Sequence, residues 1–311
     1  MRLLSKVTEI YCIADDFCKE FEAEYRKKAL SVDYCSENTP KTRQRKGRMS
    51  DAELMTILIL FHNNTFRNFK HFYIGYVLKH MQKEFPHALS YSRFVERMPR
   101  IAVQFTLFLK LVLMGECTGI SFIDSTRIPV CEPKRQARNR VFKGLASKGK
   151  STMGWYYGFK LHLLCNNRGE ILNFALTKAN VDDRNPKVFN NLTKDLFGKL
   201  YADKGYISQG LFQTLFHRGI HIVTGIRSNM KNKLMSLYDK LMLRKRAIIE
   251  TINDMLKNVA QIVHTRHRSV ANFLVNLMAG IAAYCFYETK PEINIDFISE
   301  HQAEQKQLTF L

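Results

Sequence analysis

Residues 154–177 read GWYYGFKLHLLCNNRGEILNFALT, and this stretch decides the fold. Trp155 to Cys165 is dense in aromatic and branched residues. Asn166-Asn167-Arg168-Gly169 is turn chemistry, and Ile171 to Thr177 returns with the same texture. Two apolar runs around such a turn predict an antiparallel hairpin. Upstream, Ile120, Phe122 and Ile123 lead into Asp124 as a short strand. Downstream, helix and strand alternate: a helix over about 186–197 with Pro186 in its first turn, a strand ending at Tyr201-Ala202-Asp203, a helix over 208–217 and a strand over 219–224. Two long helices close the pattern, at about 237–263 and 270–287. The expectation for 116–290 is a mixed α/β sheet with helices packed against it.

Before Gly115 the texture is helical throughout. Leu4, Val7, Ile10, Tyr11, Ala14, Phe17, Cys18 and Phe21 recur at steps of three and four, the stripe of an amphipathic helix. Ser50 and Glu53 form a capping-box pattern ahead of the apolar run Leu54 to Phe61. Further helices are expected at about 67–83 and 93–114, giving an all-helical region over 1–115. The loop before Ser50 carries Lys41, Arg43, Arg45, Lys46 and Arg48 without an acid among them. Residues 291–311 lack periodicity and read as a loose tail.

Composition bounds the function. At 46% hydrophobic and 24% charged the chain is neither a disordered tail nor a rod. Its 48 Lys and Arg against 28 Asp and Glu give +20, far above the few units that solubility asks for. The partner is therefore a polyanion. A membrane is disfavoured, because the longest weakly polar stretch, 273–287, falls short of the roughly 20 residues a span needs. With no signal-type core in Met1 to Ile10, the expected place is the cytoplasm, at the nucleoid. Seven cysteines without a CxxC pair suggest reduced thiols, and the pairs His217/His221 and His264/His267 lack a third zinc ligand at a usual spacing.

Gly144 to Ser151 matches the P-loop pattern GxxxxGK[ST] letter for letter. A P-loop needs a buried strand before it and a helix after it. The preceding segment is basic (Lys134, Arg135, Arg138, Arg140, Lys143) and the following one reads as strand, so a flexible basic loop along a phosphate backbone is expected instead.

Two aspartates end apolar strands, Asp124 and Asp203. Carboxylates at neighbouring strand ends converge, and like charges that close call for a counterion, for which hard divalent cations suit oxygen ligands. A third acid would come from the helix near 250, where Ile249, Ile252, Leu256, Val259 and Val263 define the buried stripe. Arg246, Glu250 and Lys257 share the opposite, polar face. Periodicity alone leaves Glu250 and Asp254 both open.

Ile123-Asp124-Ser125-Thr126, the stretch Gly154 to His162, Asn180-Val181-Asp182-Asp183-Arg184, Ala202-Asp203-Lys204-Gly205-Tyr206 and the spacing Arg246, Glu250, Lys257 resemble bacterial insertion-sequence transposases with a DDE domain. The nearest group is the family of insertion sequence 982. The resemblance implies a ribonuclease H-like catalytic domain over 116–290, preceded by a helical DNA-binding and dimerisation region over 1–115. It implies Asp124, Asp203 and Glu250 as a metal-binding triad for two Mg²⁺ ions, with Mn²⁺ able to substitute. The implied partner is double-stranded DNA, both the element's inverted repeats and the target, bound by a homodimer without a nucleotide cofactor. Candidate DNA contacts are Arg246, Lys257, Lys160 and His162, with Arg43, Arg45 and Lys46 of the basic loop. Asp182 and Asp183 are expected to support a loop near the site. Relatives often place a tyrosine where Leu243 stands here. The competing functions are a DNA-binding descendant without catalysis and, on Gly144 to Ser151 alone, a nucleotide hydrolase.

Overall fold

The computed structural model describes residues 2–32, 47–152, 154–226, 230, 234–263 and 267–294. Helices α1 (Arg2–Val32), α2 (Asp51–His62), α3 (Phe69–Phe72), α4 (Leu78–His80), α5 (Tyr91–Arg97) and α6 (Ala102–Phe108) come first. Strands β1 (Ile120–Cys131), β2 (Ser147–Ser151), β3 (Gly154–Asn166) and β4 (Ile171–Lys178) follow. Then come α7 (Pro186–Leu192), β5 (Gly198–Ala202), α8 (Gln209–Phe216) and β6 (Ile220–Thr224). Helices α9 (Leu237–Lys245), α10 (Ala247–Asp254) and α11 (Val270–Cys285) end the order. No described helix is long and apolar enough to cross a membrane.

The chain divides into two compact units, Met1–Leu113 with Leu256–Phe286, and Met114–Met255 with Tyr287–Leu311. In the first unit α2 is the centre. Its residues from Leu54 to His62 are all buried, as expected of a helix that is apolar on every side. Ser50 caps it in a full capping box, the Ser50 hydroxyl accepting from the Glu53 N–H at 3.1 Å and the Glu53 carboxylate accepting from the Ser50 N–H at 2.5 Å. The α1 stripe Val7, Ile10, Ala14 and Phe17 is buried, with α1 packed on α2. Helix α11 also packs on α2 and α6. Its run from Ala279 to Tyr284 is buried without interruption, so its place is inside the helical unit rather than against the sheet that precedes it in sequence.

The second unit is built on one six-stranded mixed sheet. β1 and β3 pair antiparallel from Ser121↔Asn166 to Cys131↔Tyr157. β2 and β4 share the other edge of β3, β2 along 154–158 and β4 along 159–165. β5 runs parallel to β1, and β6 parallel to β5. The expected hairpin is present, with Gly169 at φ 72°, where the absence of Cβ removes the steric cost of the left-handed turn. One sheet face carries Ile123, Leu164, Leu200 and Ile222, packed with Phe189 and Leu192 of α7 and Leu211 and Leu215 of α8. Helix α10 packs against β1 and β3. Ile293 donates its N–H to the Asn167 carbonyl at 2.8 Å, so the start of the tail is anchored to the hairpin turn; 295–311 lie outside the described residues.

Further expectations change: the single helix expected over 237–263 is broken at Arg246 into α9 and α10. β1 does not stop at Asp124 but runs on to Cys131, because β3 continues to pair with it there. Residues 147–151, expected as a flexible loop, form a strand.

Candidate functional site

The register of the parallel strands sets the geometry. Pairing of β1 with β5 ends at Phe122↔Tyr201. Two residues further along each chain stand Asp124 and Asp203, so the register carries both acids to the same level on adjacent chains. Neighbouring strands lie about 4.8 Å apart. Asp124 is thus mid-strand toward β3 yet just beyond the end of its other neighbour, where the sheet opens to solvent.

Asp203 is exposed and caps the short turn Lys204–Tyr206, its carboxylate accepting from the Lys204 N–H at 2.7 Å. Asp124 is three-quarters buried, with a side-chain exposure of 24%. Burial pushes its carboxyl up, and the charges of Glu250 and Asp203 add to that. Arg246 and a backbone hydrogen bond from Ser125 oppose, leaving the carboxyl at about 6. In this arrangement Asp124 carries a proton in mildly acidic solution.

Arg246 sits at the joint between α9 and α10. Its Nη2 donates to Glu250 Oε1 at 2.8 Å, and its Nη1 lies 3.8 Å from Asp124 Oδ1. One guanidinium therefore bridges two of the three acids. That Nη1 is buried without a hydrogen-bond acceptor among the described residues. The polar face bearing Arg246 and Glu250 turns partly toward β1. Ile249, Ile252 and Leu256 are buried as the stripe requires. Glu250 is among the charges felt by Asp124.

Asn253 was missed by sequence reasoning. It is 6% exposed, and its Nδ2 donates to Asp124 Oδ2 at 3.0 Å. A polar residue beside the buried stripe was the signal available for it. Arg246, Glu250 and Asn253 stand at i, i+4 and i+7 and so share one helix face.

Lys160 and His162 form a different group. Lys160 Nζ donates to the Val181 carbonyl at 2.8 Å and to Asp183 Oδ1 at 3.0 Å. His162 is 1% exposed and hydrogen-bonds Thr177 Oγ1 at 2.9 Å. Burial holds its imidazole down at about 4, with Asp183 raising and Lys160 lowering it, so it is neutral at pH 7. The expectation that His162 reaches DNA is corrected here, since its ring faces the protein interior. Asp183 ties Lys160 to the 179–184 loop. Arg184 holds Asp182 through Nε at 2.9 Å and Nη2 at 2.6 Å, keeping that carboxyl well below its usual range.

The P-loop letters fall on β2, whose residues pair with β3 from Ser147↔Gly158 to Ser151↔Gly154. A strand in that register has no helix N-terminus at which to seat a phosphate. The basic segment ahead of it is exposed at Lys134, Arg135, Arg138, Arg140 and Lys143. Lys257 is half-buried in the π-helical turn Met255–Val259. Arg43, Arg45 and Lys46 lie outside the described residues. Among the described residues, no three His, Cys, Asp or Glu side chains stand close enough to share one ion; Glu250 is engaged with Arg246 instead.

Residues 114–270 match the family model described as transposase DDE domain. Among solved structures, the chain is similar to a piggyBac transposase synaptic complex with hairpin DNA, at 11% identity and a TM-score of 0.45, covering 81% of this chain and 69% of that one. It is also similar to the Mos1 strand transfer complex, at 12% identity and a TM-score of 0.25, covering 85% and 83%. No curated protein matches.

Proposed function

The chain belongs to the transposase DDE domain family, and on that footing we propose that it is the transposase of an insertion sequence of the 982 group. It binds the terminal inverted repeats, cleaves DNA at the element ends and joins them to target DNA. The observation that carries this is the β1–β5 register, which sets Asp124 level with Asp203 while Arg246 holds Glu250 toward Asp124. The strand order, with β1 antiparallel to β3 and parallel to β5, supports a ribonuclease H-like description of 116–290. Region 1–115 is the DNA-binding and dimerisation part, and a homodimer brings two element ends together.

The implied metal is Mg²⁺ or Mn²⁺, two ions per site, held by Asp124, Asp203 and Glu250. The residues fit such ions chemically. All three donors are hard carboxylates. Burial and two like charges lift Asp124, a penalty that a cation relieves, and the Arg246 guanidinium already takes the part of a counter-cation between two of the acids. When bound, the ions neutralise phosphate charge and activate the attacking water or 3′-hydroxyl.

The chain's own residues position the rest. Asn253 fixes one Asp124 oxygen and leaves the other toward Arg246. Arg246, paired with both Asp124 and Glu250, keeps the two carboxylates in place for chemistry in which positioning and charge neutralisation dominate. The exposed basic segment, with Lys257, Lys160 and the loop bearing Arg43, Arg45 and Lys46, holds the DNA backbone.

The test is incubation of the full chain with DNA carrying its element's ends and Mg²⁺ or Mn²⁺, with and without ATP. Cleavage without ATP that vanishes in Asp124→Asn is expected. Binding without cleavage under both metals would leave a non-catalytic DNA-binding protein, and strict ATP dependence would overturn the transposase mechanism.

A further inference from the structure

Trp155 is the only tryptophan in the chain, and it is 56% exposed at the start of β3. An indole left largely in water forgoes much of its hydrophobic stabilisation. Its neighbours give a reason. The β2–β3 register sets Lys150 directly opposite Trp155 and Lys148 opposite Tyr157, so all three side chains share one sheet face. The Lys148 ammonium lies 4.7 Å, and that of Lys150 5.9 Å, from the indole centroid. Strand β2 is held there from its other side, where Gly149 packs so closely on Ala179 that a Cβ would lie 2.5 Å from the Ala179 carbonyl oxygen.

The three residues border a cleft of about 460 Å³ that reaches Lys160, Asn180 and Gly205, a size suited to a small ligand group. Its acids are already matched, Asp182 by Arg184 and Asp183 by Lys160. Lys148 and Lys150 have no carboxylate partner among the described residues. Two ammonium groups converging on one ring repel each other and attract an anion.

A half-exposed indole with unmatched cations over its ring suits a nucleotide, whose phosphates draw the ammonium groups aside while the base takes the ring. Bases inside a duplex have both faces covered by their stacked neighbours, so only an unpaired base reaches the indole.

We propose that Trp155, with Lys148 and Lys150, is a stacking platform for an unpaired nucleobase of DNA. This rests on the DNA-transposing function proposed above and extends it to single-stranded tails. Alternation along β3 puts Trp155 on the same sheet face as Leu163, which pairs with Asp124. Eight residues separate them, about 26 Å of strand. The platform therefore engages strand leading away from the reacting phosphate.

Because Trp155 is the sole tryptophan, its fluorescence reports directly on the platform. Full-length protein, in the absence of divalent metal, is titrated with a labelled blunt duplex, with the same duplex bearing a single-stranded tail, and with that tail made abasic. Anisotropy of the label gives affinity while tryptophan emission gives stacking. The natural tail should bind about tenfold tighter than the blunt duplex and quench the emission with the same midpoint. The abasic tail, and Trp155→Ala with the natural tail, should lose that advantage while blunt-duplex binding stays within about twofold. Trp155→Phe should keep part of it, which separates stacking from misfolding. Lys148→Ala and Lys150→Ala should each lower the salt dependence of tail binding by about 0.7 of a log unit per log unit of salt. If tail and blunt duplex bind equally and the emission does not change, the platform is refuted and the DNA reading stands. If no DNA binds at all, both fall.

Discussion

Replacing Asp124 by Asn should make the metal-free protein more stable while abolishing strand cleavage. In the fold, the Asp124 carboxyl is raised from 3.8 to about 6, chiefly by burial, with Glu250 and Asp203 adding to it and Arg246 opposing. About two units at 1.36 kcal/mol each sets a ceiling near 3 kcal/mol. Since a quarter of the side chain is exposed, solvent screening brings the expected gain to about 1–3 kcal/mol. The sign follows from proton linkage. A group raised in the folded state supports folding fully below its unfolded value and loses that support as pH rises through its folded value. Wild-type stability from this group therefore falls between about pH 4 and pH 6 and is flat above. Asparagine carries no charge and keeps an oxygen for the Asn253 amide. The gap between variant and wild type should open across that window and persist to pH 8. The assay is urea denaturation of both proteins in EDTA at several pH values, or thermal melting, where the gap corresponds to roughly 3–10 °C at pH 8. Equal stabilities at pH 8, or a gap as large at pH 4 as at pH 8, would refute the claim that Asp124 is strained by its own charge.

Ser50→Ala removes the cap of α2 and should cost about 1 kcal/mol in urea denaturation, whereas Ser50→Asp, which keeps a capping oxygen, should avoid most of that loss. Gly158→Ala should destabilise by about 1–3 kcal/mol or more, because its Cβ would overlap the Ile128 carbonyl across the β1–β3 pair; denaturation midpoint and soluble yield both report it. Asp239 is 9% exposed and accepts hydrogen bonds from Lys199 at 2.8 Å, Tyr201 at 2.9 Å and Ser236 at 2.8 Å. Burial pushes its carboxyl up, but these donors outweigh burial and hold it below the usual value. Asp239→Asn should therefore cost about 1–3 kcal/mol at neutral pH, and the cost should shrink as acid protonates the wild-type group, as stability curves at pH 7 and pH 3 would show.

Much of the architecture was legible because it rests on local signals. The hairpin 154–177 announced itself by two apolar runs around a glycine turn, and the α2 cap by Ser50 and Glu53. The parts that were not legible depend on partners distant in sequence. Strand β2 has the composition Ser-Lys-Gly-Lys-Ser, which carries no strand preference. It is a strand because β3 offers it an edge and because Gly149 lets it approach Ala179. The end of β1 was placed at Asp124 because apolar residues stop there, whereas pairing with β3 carries the strand seven residues further. His162 shares a strand face with Lys160, as alternation requires, yet only the fold reveals that this face is covered near Thr177. Periodicity says which residues of α10 align and not what they align against, so the contact of Arg246 with Asp124 is visible only in the fold.

The site and the stability of the second unit are linked through α10. Ile249 and Ile252 bury its apolar side, and the same docking delivers Arg246, Glu250 and Asn253 toward β1. Asp124, alone in that environment, is a carboxylate whose charge the fold opposes. Asn253 supplies a hydrogen bond and Arg246 a positive charge, both from one helix face, so the helix that brings Glu250 also brings the groups that make Asp124 tolerable beside it. The arrangement still leaves Asp124 raised, a residual cost that a structural aspartate would have lost to substitution with little penalty. The cost is intelligible if Asp124 is retained for chemistry, since groups held against their own stability are characteristic of reacting sites.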